Sequence, residues 1–273
     1  MPSADMEDHS FYFVQISDTH LASSRSFRDT AAVVDAVNRL PMPVAFVAHT
    51  GDIMYNNIDV GDAARVGRQV FADLQMPIHF IPGNHDILSS RFESTTATYR
   101  RHFGALCYAV ACQGVALVFT DTGPLAGTYG NEQQAFGQVE RHLEAAGDKP
   151  TVVFAHHPPL DTLVKNSHFK GGWPPASRRR WIDLLNDYGV EAVISGHYHQ
   201  ELQLWLGNVP LYVASSIGAY PPSFRLYRYD RGQLSFWTGQ IAKKPLAYRV
   251  LRKWKKLIHN GLNSNHSAQR RGT

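Results

Sequence analysis

Short apolar runs rich in β-branched and aromatic residues alternate with longer amphipathic segments through the first 200 residues of the chain. The short runs predict buried strands, and apolar residues at helical spacing in the longer segments predict helices. The predicted strands are Phe11–Ile16, Val44–Ala48, Ile78–Ile81, Cys107–Ala111, Val115–Thr120, Thr151–Ala155 and Ala192–Ile194, and the predicted helices are Asp29–Leu40, Asp62–Leu74, Arg91–Phe103, Glu132–Ala146 and Ala176–Tyr188.

The pattern changes after residue 200, where strands follow one another without intervening helices. These predicted strands are Glu201–Trp205, Leu211–Ala214, Phe224–Tyr229 and Gln233–Thr238. The mixture predicts an α/β fold with two facing mixed sheets and helices outside them. The long segment Pro158–Pro175, rich in Pro, Gly and Lys, predicts a loop that forms a wall or lid over a site.

Five of the predicted strands are each followed by residues of metal-binding type. Because the carboxyl end of a strand is the edge of an open sheet where ligands bind, the five segments can converge in space. A single one of them would occur often by chance, whereas five in one order predict a site. The segments are Asp18-Thr19-His20, Gly51-Asp52, Gly83-Asn84-His85-Asp86, His156-His157-Pro158 and Gly196-His197-Tyr198-His199.

The donors in these segments are carboxylates, an amide and imidazoles, without a thiolate. Such a set suits first-row divalent ions such as Mn, Fe, Co, Ni or Zn. In an extended segment, residues two apart emerge on the same face, so Asp18 and His20 can hold one ion together. The pair His197 and His199 repeats this spacing, and the lone carboxylate of Asp52 can supply one oxygen to each of two ions. The residues therefore predict a two-metal hydrolase.

In this order, the five segments resemble the signature of the calcineurin-like metallophosphoesterase superfamily, which reads Asp-x-His, Gly-Asp, Gly-Asn-His-Asp or Glu, His, and Gly-His-x-His. The resemblance extends over residues 11–237, and no signature position is missing. It implies a four-layer αββα sandwich. That architecture agrees with the facing sheets and outer helices that the hydrophobic pattern predicts.

The resemblance also implies a set of ligands for two divalent transition-metal ions per chain, with Mn, Fe, Zn, Co and Ni all open. The family ligand in the fourth segment usually stands two residues before a proline, which favours His156 over His157. His85 matches a family histidine that binds no metal, and it is expected to contact the phosphate and to protonate or stabilise the leaving oxygen. One ion would take Asp18, His20, Asp52 and His199, and the other would take Asp52, Asn84, His156 and His197.

The reaction expected from this resemblance is hydrolysis of a phosphoric ester. With two ions about 3.5–4 Å apart, a metal-bound hydroxide would attack the phosphorus atom in line. A small-molecule phosphodiester is the expected substrate, because the compact layout, Asp86 and the His-His-Pro-Pro run look most like the small bacterial phosphodiesterases.

Two alternatives to a phosphodiesterase stay open. One is a phosphomonoesterase acting on a metabolite or a phosphoprotein, since a monoester dianion needs more positive charge. The other is a binding scaffold on an inactive version of the fold, although such proteins typically lose metal ligands. Basic residues that could serve a monoester are Lys165, His168, Lys170 and Arg178.

The charge distribution indicates a separate basic tail and limits the classes of partner that the chain can bind. A metallophosphoesterase domain is expected over residues 1–240, followed by a basic tail at 241–273 that is part helical and part disordered. The tail holds nine Lys or Arg and no Asp or Glu, so the first 240 residues hold 18 basic and 23 acidic residues. Their net charge of −5 argues against a nucleic-acid groove.

The tail and the apolar runs also bear on membrane contact. Apolar residues at helical spacing between basic ones predict an amphipathic helix in the tail, which could make weak contact with an anionic membrane or pack on the domain. The acidic start of the chain and the lack of a roughly 20-residue apolar run predict a soluble cytoplasmic protein. The oligomeric state is not indicated.

Overall fold

The computed structural model describes residues 10–159 and 172–241 of the 273-residue chain. All the strands and helices predicted in these ranges are present, with shifts at their ends. In chain order the strands are β1 (Ser10–Ile16), β2 (Val44–Thr50), β3 (Ile78–Ile81), β4 (Cys107–Cys112), β5 (Val115–Thr120), β6 (Thr151–Phe154), β7 (Ala192–Ser195), β8 (Leu202–Leu206), β9 (Val209–Val213), β10 (Ser223–Asp230) and β11 (Gln233–Gln240). The helices are α1 (Ser24–Asn38), α2 (Ala63–Gln69), α3 (Phe92–His102), α4 (Glu132–Ala146) and α5 (Pro175–Asp187).

The strands form two mixed sheets. One has the order β11-β10-β1-β2-β3 and the other the order β4-β5-β6-β7-β9-β8. The centre of each sheet is parallel, whereas β10, β11, β4 and β8 pair with their neighbours in antiparallel fashion. In the β4–β5 hairpin the turn residues Gln113 and Gly114 both have positive φ, 44° and 79°, as a tight two-residue turn requires.

Three hydrophobic clusters separate four layers. One cluster lies between the sheets, where the ring of Phe13 stacks between Phe46 and Tyr227 with centroids 5.0 and 4.9 Å away. A second cluster joins the first sheet to α1, α2 and α3, and a third joins the other sheet to α4 and α5. Each sheet therefore packs against the other sheet on one face and against helices on its other face, which confirms the α/β fold with two facing mixed sheets.

Helix α1 begins five residues earlier than the apolar spacing predicts, at Ser24 instead of Asp29. The side chain of Ser23 accepts the backbone N–H of Ser26, and the side chain of Ser26 accepts that of Ser23. This capping box satisfies N–H groups at the start of the helix, and polar caps leave no trace in a hydrophobic pattern.

Two predicted features lie largely outside the described residues. The predicted wall or lid, Pro158–Pro175, is described only at its two ends, and the predicted basic tail only at Ile241. The division of the chain after residue 240 therefore stays a prediction. Within the described ranges, no helix is both long enough and apolar enough to cross a membrane.

Candidate metal centre

The five segments of metal-binding residue types lie at one edge of the two sheets. Strands β1, β2 and β3 run parallel in one sheet, and β6 and β7 run parallel in the other. Each of these strands ends just before one segment, so the loops after them meet. The side chains brought to this edge are Asp18, His20, Asp52, Asn84, His85, His156, His197 and His199.

Asp18, His20 and His199 form a first group of ligand atoms. The Nε2 atoms of His20 and His199 lie 3.1 Å apart, and Nε2 of His199 lies 3.1 Å from Oδ1 of Asp18. Asp52 borders the group, with Oδ2 3.8 Å from Nε2 of His20. Two imidazole nitrogens this close need a proton or a cation between them, so the group fits a metal ion.

A second group surrounds the same oxygen of Asp52. Nε2 of His156 lies 3.4 Å from it, and the ring of His156 lies 5.1 Å from that of His197. Nδ1 of His156 donates to the carbonyl of Thr50 at 2.7 Å, which leaves the Nε2 lone pair for a ligand. In the part of the chain that the structure describes, Nε2 of His156 and Oδ1 of Asn84 are buried without a hydrogen-bond partner. Because buried polar atoms are normally satisfied, these two atoms fit ligands of a cation.

The backbone of the site is unusual. Five candidate ligands have positive φ, and they are five of the eight such non-glycine residues in the described part of the chain. This conformation costs on the order of 1–3 kcal/mol for each residue with a Cβ atom, and it concentrates at functional sites. The five are Asp18, His20, Asp52, His197 and His199.

A buried carboxylate holds two of the ligand loops together. Asp86 accepts hydrogen bonds from the backbone N–H groups of Ile53, Met54 and Gly83 at 3.0, 2.7 and 2.9 Å. Burial and the nearby charge of Asp52 raise the pKa of Asp86 to about 7. Asp86 therefore fixes the loops after β2 and β3 relative to each other.

The electrostatics favour cation binding. Burial alone would raise the pKa of Asp18, but the hydrogen bond from His199 and the charge of His156 lower it to about 2. Burial also opposes ionisation of Asp52, yet the charge of His156 holds the pKa of Asp52 well below its usual value. Burial would lower the pKa of His156, and the charge of Asp52 raises it to about 9. A metal ion that bound to these ionised carboxylates would displace the His156 proton.

His85 lies beside these groups. Its Nδ1 contacts Oδ1 of Asn56 at 2.9 Å, and its backbone N–H donates to Oδ1 of Asp52 at 2.8 Å. The ring stacks on that of Tyr55 at 5.0 Å and lies 4.9 Å from the ring of His20. If the amide oxygen of Asn56 accepts from Nδ1, Nε2 is left for a group bound near Asp52.

The site opens into a cavity of about 890 Å³. Besides the candidate ligands, its wall includes Tyr55, Arg25, His157 and Trp173. Arg25 is the one Lys or Arg in the wall as the described residues form it, and its Nε donates to Asp29 at 3.2 Å. This volume is ample for a phosphate group with attached substituents.

The sequence reasoning missed several of these residues. Tyr55 and Arg25 line the cavity and Asn56 contacts the ring of His85. None of the three belongs to a metal-binding motif, so only the structure reveals them. Arg178, predicted as a source of positive charge, lies in α5, where its Nε donates to the carbonyl of Pro159 at 3.0 Å. Lys165, His168 and Lys170 lie outside the described residues.

The sequence model of the calcineurin-like phosphoesterase family matches residues 11–201, a range that holds all five segments. The chain belongs to the calcineurin-like phosphoesterase family. As a calcineurin-like phosphoesterase, it is a hydrolase of phosphoric esters from a family that uses divalent metal ions.

Two curated relatives and one solved structure agree with this family. A glycerophosphodiester phosphodiesterase of Enterobacter lignolyticus is 34% identical over 53% of this chain, a match that spans 56% of that relative. A serine/threonine-protein phosphatase of Bos taurus is 25% identical over 76% of this chain and 75% of its own length. A dimetal phosphatase from Danio rerio superimposes with a TM-score of 0.58 at 16% identity, covering 85% of this chain and 99% of that one. The structural likeness supports the fold.

Proposed function

We propose that this phosphoesterase hydrolyses a small-molecule phosphodiester with two divalent transition-metal ions that share Asp52. The supporting observation is the position of Oδ2 of Asp52, which lies 3.8 Å from Nε2 of His20 and 3.4 Å from Nε2 of His156. One carboxylate oxygen thus borders both ligand groups. The proposed ligands are Asp18, His20, Asp52 and His199 for one ion, and Asp52, Asn84, His156 and His197 for the other.

Two ions held by these residues would supply a water of lowered pKa and would neutralise charge on the phosphoryl oxygens. The protein holds the ligands in place through Asp86 and the carbonyl of Thr50. His85 is the proposed proton donor to the leaving oxygen, through Nε2. Its contacts with Asn56 and with Asp52 keep the ring next to the shared ligand.

Two observations favour a diester over a monoester. The relative with 34% identity is a glycerophosphodiester phosphodiesterase. In addition, Arg25, the one Lys or Arg that the described residues place in the cavity wall, is paired with Asp29. The described wall therefore offers little uncompensated positive charge for a monoester dianion, beyond what the ions supply.

A phosphomonoesterase is the second candidate. It is supported by similarity to the serine/threonine-protein phosphatase of Bos taurus, which extends over three quarters of both chains. The basic residues that would receive a dianion, Lys165, His168 and Lys170, belong to the segment outside the described residues.

The deciding experiment compares kcat/KM in Mn²⁺ for 4-nitrophenyl phosphate and bis(4-nitrophenyl) phosphate. The proposal expects a diester preference that is lost in Asn84→Ala, because that change removes a ligand oxygen without adding charge. Asn208→Ala is the matched control, since Asn208 is exposed in the turn between β8 and β9. A monoester preference would instead establish the phosphatase.

A further inference from the structure

The second histidine of the His156-His157 pair has no place in the proposed ligand set, although it lies in the cavity wall. His157 is 3% exposed, and its ring centroid lies 4.7 Å from those of His156 and His197. A ligand-type atom from each of the three histidines lies within 4.8 Å of the others. By distance alone, His157 could therefore be a metal ligand or a group that contacts the substrate.

The hydrogen bonds between Thr122 and His157 distinguish these two roles. Oγ1 of Thr122 accepts the backbone N–H of His157 at 2.9 Å and lies 3.2 Å from Nδ1 of the same histidine. Thr122 is fully buried, and its hydroxyl has no other partner among the described residues. Because a buried hydroxyl normally donates its proton, the Thr122 O–H donates to Nδ1.

The proton of the neutral ring then resides on Nε2. A protonated imidazole nitrogen has no lone pair for a metal ion, so it can only donate. Nε2 of His157 is buried and has no hydrogen-bond partner among the described residues. A buried donor that no described residue satisfies, next to two candidate metal ligands, fits an acceptor that enters the site with the substrate.

We propose that His157 is a catalytic residue that donates from Nε2 to a non-bridging phosphoryl oxygen, and that Thr122 fixes the required tautomer. This inference rests on the proposed function, because it presumes that a phosphoryl group binds between the two ligand groups. Such a donor would strengthen as charge builds on that oxygen in the transition state. His156, by contrast, directs Nδ1–H at the Thr50 carbonyl and keeps Nε2 for a metal ion. Adjacent histidines thus carry opposite tautomers.

The first test is the tautomer itself, read by ¹⁵N–¹H correlation NMR of histidine-labelled protein. The proposal expects the Nε2–H form for His157 in the wild type, and the same form in Thr122→Ser, which keeps the hydroxyl. In Thr122→Val, which removes the hydroxyl, the preference for that form should be lost. An Nδ1–H form of His157 in the wild type would overturn the proposal.

The second test separates a donor from a metal ligand. In Mn²⁺-loaded His157→Phe, metal content should equal that of the wild type, whereas affinity for inorganic phosphate and kcat/KM should each fall about 10- to 100-fold. His157→Gln, whose amide can also donate, should recover part of both losses. His142→Phe, a change in α4 away from the cavity, is the matched control.

Each outcome bears on the proposal. Loss of bound Mn²⁺ in His157→Phe would make His157 a ligand, and unchanged phosphate affinity and kcat/KM would make it structural; either result overturns the inference. If the wild type hydrolysed neither ester, the proposed function would fail. The tautomer and phosphate measurements would still decide the role of His157, because they do not depend on turnover.

Discussion

Gly83 leaves space for the carboxylate of Asp52, and that space can be filled by one methyl group. A Cβ atom at position 83 would lie 2.2 Å from Oδ1 of Asp52, 2.6 Å from its backbone N and 2.7 Å from Nε2 of His156. Real contacts of this kind essentially never fall below 3.0 Å, so the oxygen must move by at least 0.8 Å. Metal sites tolerate ligand distances only within about 0.2 Å, and a misplacement of about 1 Å can cost 10²-fold in rate.

Gly83→Ala is therefore expected to lose bound metal and to lower kcat/KM for the bis-ester by about 10²-fold or more. The assays are metal analysis after dialysis in dilute Mn²⁺, steady-state kinetics, and urea unfolding to verify that the variant folds. The control is Gly137→Ala in α4, where the nearest atom to the new Cβ is 3.6 Å away. That change should raise stability by roughly 0.5–1 kcal/mol. The steric reasoning would be refuted if Gly83→Ala bound as much metal as the wild type and kept kcat/KM within twofold of the wild-type value.

Three further predictions concern stability. Burial raises the pKa of the Asp121 carboxyl to about 6. The folded state therefore keeps a proton that the unfolded state releases near pH 4, so the contribution of this group to the free energy of unfolding falls as pH rises from 4 to 6. In urea titrations, the free energy of unfolding of Asp121→Asn relative to that of the wild type should rise by up to about 3 kcal/mol between pH 4 and 7. A difference between the two proteins that stayed constant with pH would contradict the raised pKa of Asp121. Gln15→Leu removes buried hydrogen bonds to Thr50, Ser195 and Tyr227, and it should lower the free energy of unfolding by about 3 kcal/mol. Tyr108→Phe, which removes a single hydrogen bond between the two sheets, should lower it by about 1 kcal/mol. Dialysis against a chelator should lower Tm, because an ion that binds only the folded state stabilises it; an unchanged Tm would mean that no such ion had been bound.

The hydrophobic pattern predicts the strands and the layers because both depend on which residues are buried. Runs such as Val152–Ala155 are apolar throughout, since parallel strands between helices and a second sheet have no exposed face. The ends of the elements are less predictable. The early start of α1 depends on Ser23 and Ser26, two small polar residues whose hydrogen bonds have no periodic signal.

The ligand segments are visible in the sequence because residue types and their order carry metal chemistry. Their geometry is not visible, since nothing in the sequence indicates that Asp18, Asp52 or His197 adopts positive φ. Residues that act through a distant partner are also hidden. Thr122 and His157 are 35 positions apart, and they meet only because β5 and β6 are adjacent parallel strands.

The central claim, two metal ions that share Asp52, is tested most directly by electron paramagnetic resonance of the protein loaded with Mn²⁺, together with the number of ions bound per chain. The account predicts two ions per chain and the spectrum of an exchange-coupled pair, replaced in Asn84→Ala by the spectrum of isolated Mn²⁺. A single ion per chain in the wild type, or two ions without coupling, would contradict it.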